Sequence, residues 1–155
     1  APIATAALRP TEGMMYISTP FSAIGPASLS EPPKNHMAVL TDRGTLTEGV
    51  LAAARGCRFA VVECNHDVEM LRRGPYPPYL QRRILGDRGH LSNEAGAGLA
   101  RYLAENGAEG VLLGHLSREN NRPGLALAAV RDQVGPSLRV NVAPPDTPSP
   151  KISVE

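Results

Sequence analysis

The chain has 155 residues and a formal net charge of +1, enough for one domain with a real core and too little charge for a global field directed at nucleic acid or membrane. It has no Trp, two Phe and four Tyr, so its core must rest on Ala, Val and Leu. Two cysteines, Cys57 and Cys64, do not make a disulfide framework; they read as reduced, buried thiols facing opposite sides of one strand, in a cytoplasmic protein.

Residues 1–36 read as a Pro-rich, poorly ordered or partial N-terminal segment, with a short helical turn before Pro10 and a strand over Met14–Ser18. From Met37 the texture changes. Met37–Leu40 is an apolar strand closed by the turn Thr41–Gly44. Thr45 and Glu48 form a capping box that opens a helix through Ala54, with Gly56 as its stop. Phe59–Glu63 is a buried strand, followed by a short helix Asp67–Arg73 and the rigid turn Gly74–Pro78. Tyr79–Leu85 makes a further helical segment.

Ser92 caps the longest helix, which runs to about Asn106 with Ala95, Leu99 and Leu103 as its buried stripe. Gly96 and Gly98 should weaken that helix by roughly 1 kcal/mol each relative to Ala. Gly107 stops it. The run Val111–Leu113 is a strand, Pro123 starts a helix to about Val134, and Leu138–Val142 is a last strand. Residues 143–155 form an extended Pro-rich tail. No run approaches the length of a membrane span and no leader is apparent. Strands alternate with helices from Met37 to Val142, so the fold class is α/β, a β-sheet flanked by helices over residues 37–142.

Ionisable residues follow three of these strands. Asp42 follows the first; Glu63 with Asn65, His66 and Asp67 follows the second; His115 follows the third. If the strands run parallel, their C-terminal ends share one edge, where α/β sheets bind ligands. Carboxylate with imidazole suits zinc or manganese. Each residue also has a plainer reading: a turn-forming Asp, a helix cap in the Asn65–Asp67 stretch, a histidine hydrogen-bonded in a turn. His90 precedes the longest helix; a carboxylate such as Glu63 beside it would hold it protonated as a general acid for a phosphodiester leaving oxygen. Arg72, Arg73, Arg82, Arg83 and Arg88 lie close together against a single acid, Asp87. They read either as phosphate contacts, with Arg118 as a further one, or as a solvated helix face.

At these residues a family pattern emerges. LTDRG (Leu40–Gly44), ECNHDVEMLRRGPYP (Glu63–Pro77), RRILGDRGHLSNEAG (Arg82–Gly96) and LLGHLSRENNRP (Leu112–Pro123) resemble metallo-β-lactamase-fold hydrolases, nearest the YycJ-like, phosphoribosyl 1,2-cyclic phosphodiesterase-like branch. The resemblance covers roughly Met37–Val142 and implies the C-terminal half of an αββα sandwich with a two-metal site. It implies that Asp42 and His115 are metal ligands and that Glu63 and His90 are the acid–histidine pair that protonates the leaving group; on that reading Arg82, Arg83, Arg88, Arg118, Asn65 and His66 are the expected phosphate or substrate contacts. The family's HxHxDH motif is absent, and Ala27 stands where a further ligand His is usual. The expectation is therefore a metal-dependent phosphodiesterase or nuclease, incomplete or inactive as this chain alone, with sub-stoichiometric zinc or manganese. The alternatives are a non-catalytic phosphate- or nucleic-acid-binding remnant, or a half-site completed by a partner chain. A half-fold would also expose an apolar sheet face, which calls for self-association or a covering partner.

Overall fold

The structure, a computed structural model, describes residues 37–149. The expectations for residues 1–36, including the strand Met14–Ser18, lie outside the described residues, as does the end of the tail.

Four strands, β1 (Met37–Leu40), β2 (Phe59–Glu63), β3 (Gly110–Gly114) and β4 (Arg139–Val142), form one sheet in the order β1-β2-β3-β4. Every pairing is parallel, with Met37 opposite Phe59, Phe59 opposite Gly110 and Gly110 opposite Arg139. Helices α1 (Glu48–Ala54), α2 (Val68–Arg73), α3 (Pro78–Leu85), α4 (Asn93–Glu105) and α5 (Pro123–Gln133) fall between the strands. The α/β architecture read from the alternation of elements is the one observed.

Strand alternation sorts the sheet into two faces. Ala60, Val62, Cys64, Val111, Leu113 and Val140 join Leu99, Ala100, Leu103, Ala126 and Val130 from α4 and α5 in the main core. Cys57 belongs to the same core, because it lies before β2 begins and the alternation does not reach it. Both thiols are free and buried. Burial pushes the Cys64 thiol up to about 12, so it is inert near neutral pH.

The other face carries Met37, Val39, Phe59, Val61 and Leu112. Phe59 and Leu112 are buried there, and the Phe59 ring lies over Gly110, where an added Cβ would stand 2.9 Å from it. Val39 and Val61 are half-buried on this face, and Met37 is its exposed large side chain.

Local chemistry sets the helix ends. Ser92 caps α4 as expected, its oxygen accepting from the Ala95 N–H. The cap of α1 is Thr47, not Thr45: Thr47 directly precedes the first helical residue and accepts from Val50 N–H. Thr45 instead donates to Asp87, tying the loop after β1 to the loop before His90. Gly56 and Gly107 take positive φ after α1 and α4, as their stop roles require.

The buried stripe of α4 is rotated from the expected one. Ala95 is exposed, while Gly96, Ala97, Leu99, Ala100 and Leu103 face the sheet. Gly96 is the point of closest approach: a Cβ there would stand 2.4 Å from the Glu63 carbonyl oxygen and 2.6 Å from Cys64 Sγ. Around Gly98 nothing lies within 4 Å. The two glycines should therefore respond oppositely to alanine. Gly98→Ala should stabilise the protein by about 0.5–1 kcal/mol through helix propensity. Gly96→Ala should destabilise it by about 1–3 kcal/mol, because α4 must move off β2. Urea melts of the two variants check the opposite signs.

Candidate active site

Parallel pairing brings the C-terminal ends of β1, β2 and β3 to one edge, and the residues just beyond them converge. Asp42, Glu63, His90 and His115 each offer one carboxylate oxygen or ring nitrogen, and these four atoms lie within 4.8 Å of one another. Asp42 and His115 are also the two non-glycine residues with positive φ among those described, both at 57°. Such a conformation is uncommon outside glycine and concentrates where side-chain placement is constrained. The backbone of His115 is fastened there by Asn65. The Asn65 Nδ2 donates to the His115 carbonyl at 2.8 Å, and the Asn65 carbonyl accepts from Ser117 N–H at 2.7 Å.

Glu63 is the hub. Its side chain is fully buried at the end of β2, yet no donor it needs is missing. Oε1 accepts from His115 Nδ1 at 2.6 Å and from His90 Nδ1 at 2.8 Å; Oε2 accepts from the Arg43 N–H at 3.2 Å. An ionised carboxylate can only accept, so both imidazoles carry hydrogen on Nδ1. Each Nε2 is left for a ligand or a proton. The two rings meet edge to face, 5.0 Å between centroids. Asp42 Oδ1 stands 3.6 Å from His115 Nδ1 and 3.9 Å from His90 Nδ1, adding a second negative charge to the pair.

The electrostatics follow from these contacts. Burial alone would raise the Glu63 carboxyl, but the hydrogen bonds from His115 and Arg43 and the nearby imidazole charge outweigh it and hold the group below its ordinary range. The hydrogen bond to Glu63 raises His115 above its ordinary value, against the opposing effect of burial. Both shifts favour the charged pair, a carboxylate facing an imidazolium.

A cleft of about 360 Å³ opens beside His90 and His115. Of the expected substrate contacts, Asn65, Arg83 and Arg88 line it. The others do not. His66 is a correction: next to Asp67, the cap of α2, its ring is enclosed, 1% exposed, and cannot meet a substrate arriving from outside. Arg82 points elsewhere on α3, since successive helical residues are turned by about 100°. Arg118 is paired with Asp146 of the tail, 2.5 Å away, and lies outside the cleft. The sequence reading passed over Tyr76, Leu80 and Ile84, which complete the wall. Their signals were present: an aromatic held between prolines, and an i, i+4 apolar pair on α3.

No protein-family model matches the chain. Three curated proteins do. Over 119 residues the chain is 39% identical to exodeoxyribonuclease WalJ of Streptococcus pneumoniae, in two strains, a match covering 72% of this chain and 44% of the relative. Over 94 residues it is 39% identical to exodeoxyribonuclease YycJ of Bacillus anthracis, covering 61% of this chain and 36% of the relative. Over these stretches the chain is similar to proteins named exodeoxyribonuclease WalJ and YycJ. The matched stretch spans less than half the length of these curated relatives. No helix of the described residues is long and apolar enough to cross a membrane.

Proposed function

We propose that this chain carries part of the active site of a metal-dependent phosphodiester hydrolase acting on nucleic acid, on a metallo-β-lactamase-like half-fold. The single observation that carries this reading is the convergence of Asp42, Glu63, His90 and His115, from four separate segments, at one sheet edge. The relatives named exodeoxyribonuclease support the substrate class.

The donor set fits a borderline divalent ion such as zinc or manganese: one exposed carboxylate and imidazole nitrogens, with a buried acid behind them. Asp42 and His115 would hold it, and it would activate water and offset phosphate charge. Glu63 takes the Nδ1–H of both rings, the carboxylate–histidine arrangement that fixes tautomer and ring orientation in metal sites. His90, held at Nδ1 by Glu63, presents Nε2 and donates its proton to the departing oxygen, then recovers one from solvent. Such a positioned acid contributes typically 10²–10⁴-fold.

The test is metal content and hydrolysis measured on the same preparations. With zinc or manganese added, the full chain should bind the ion, and any release of nucleotides from DNA should depend on that ion. His115→Ala should lose both. Hydrolysis undiminished in His115→Ala would remove the site from the mechanism. Metal binding without turnover would instead favour a binding remnant, or a half-site completed by another chain.

A further inference from the structure

Helix α3 and the turn before it build the outer wall of the cleft, and their chemistry is specific. Tyr76 lies in Gly-Pro-Tyr-Pro-Pro, so prolines fix the chain on both sides of it. Its carbonyl accepts from Gln81 Nε2 at 2.8 Å, which anchors the turn to α3. The ring is half-buried and joins Leu80 and Ile84, one helical turn apart, in an apolar wall. Arg83 and Arg88 line the same cleft. Two nearby arginines are engaged, Arg118 with Asp146 and Arg73 with Glu69. Arg83 and Arg88 have no ion-pair partner among the described residues. A rigid aromatic, an aliphatic wall and two uncompensated guanidinium groups thus share a space of about 360 Å³, within the range of small-ligand sites. It opens onto the imidazoles of His90 and His115.

We infer that this cleft holds one unpaired nucleotide of a nucleic-acid strand, its phosphate on Arg83 and Arg88 and its base against Tyr76. Guanidinium forks match phosphate oxygens in pairs, and any base presents a π-face to an aromatic ring. A base inside a duplex has both faces covered by its stacked neighbours and cannot offer one to Tyr76, so the cleft selects a frayed or single-stranded end. The inference takes its substrate class from the hydrolase reading above, but the binding it describes needs no turnover.

The experiment is fluorescence anisotropy of the full chain with an oligothymidylate of about ten nucleotides and with a blunt duplex of equal length, in EDTA so that nothing is cleaved. The single strand should bind at least about tenfold tighter than the duplex. Tyr76→Ala should lose about tenfold and Tyr76→Phe should keep it, since the ring and not the hydroxyl is used. Arg83→Gln and Arg88→Gln should each weaken binding and lower the salt slope by about 0.7. Arg72→Gln, outside the cleft, should do neither. Equal affinity for duplex and single strand, or a Tyr76→Ala chain that folds by circular dichroism and binds like the parent, would overturn the assignment. Hydrolysis with metal restored is scored separately: a chain that binds in this pattern without turnover keeps the cleft, while the hydrolase reading fails for the chain alone.

Discussion

If the proposed hydrolysis takes place at this centre, Glu63→Gln should lower its turnover by about a thousandfold. The carboxylate serves three donors at once, and the amide has only one oxygen with which to replace it. If that oxygen keeps both imidazoles, the NH₂ group is driven against the Arg43 N–H. If it keeps Arg43, the imidazoles lose the acceptor that fixes their tautomer. Loss of such a supporting carboxylate costs about 10–100-fold in metal affinity or activity, and loss of an oriented acid a further factor of about 10²–10⁴. The effects share one residue and will not multiply fully. Turnover at saturating manganese, compared with metal affinity, separates the two losses.

The same variant should flatten the pH dependence of stability in the metal-free protein. Glu63 is held below its ordinary 4.5 in the folded state, so its contribution is present above pH 4.5 and fades as pH falls through the lowered value. His115 is raised above its ordinary 6.5, so its contribution is present below 6.5 and fades as pH rises through the raised value. Both act together between pH 4.5 and 6.5, and the stability difference between parent and Glu63→Gln should peak there. Urea melts across that range in EDTA check it; a difference that still grew at alkaline pH would contradict the pairing.

Gly44→Ala should be strongly damaging although it changes none of the four ionisable residues. A Cβ on Gly44 would stand 2.3 Å from the Gly86 carbonyl oxygen and 2.6 Å from the Asp87 carbonyl carbon and oxygen. These neighbours are backbone, so one loop must move. The loop carrying Gly44 also carries Asp42, and the loop carrying Gly86 leads to His90. Overpacking of this kind costs about 1–3 kcal/mol, and a misplacement near 1 Å can cost about a hundredfold in rate. Gly49→Ala is the control: its nearest neighbour is 4.0 Å away, in a helix. It should leave activity intact and stability equal or slightly higher.

The sequence was legible where a residue's identity carries its own geometry. Phe59–Glu63 reads as a strand from its apolar run, and Ser92 as a cap from its place before the helix; both stand where expected. Asp42 and His115 stand out because polar residues interrupt apolar runs at strand ends, and parallel order brings them together; His90 stands out by its place before the longest helix. What chain order does not encode is which neighbour an element turns toward. Glu63 was visible as an acid, but not as a buried acceptor shared by two rings. His66, three residues on, looked equally available and is enclosed. Gly96 read as a defect in its helix, and only its contact with β2 shows it to be a requirement. Arg82 and Arg83 are adjacent in sequence, and the turn of α3 gives the cleft to only one of them.

The parallel sheet also dictates when this corner of the molecule comes into being. No two of its strands are joined by a tight hairpin, so each pairing waits for a crossover to close. Glu63 meets His90 across 27 residues and His115 across 52. No short fragment contains the assembled centre, and a nascent chain acquires it only after His115 has left the ribosome. The Glu63–His115 contact should therefore wait for β2 and β3 to pair, and local collapse alone should not produce it.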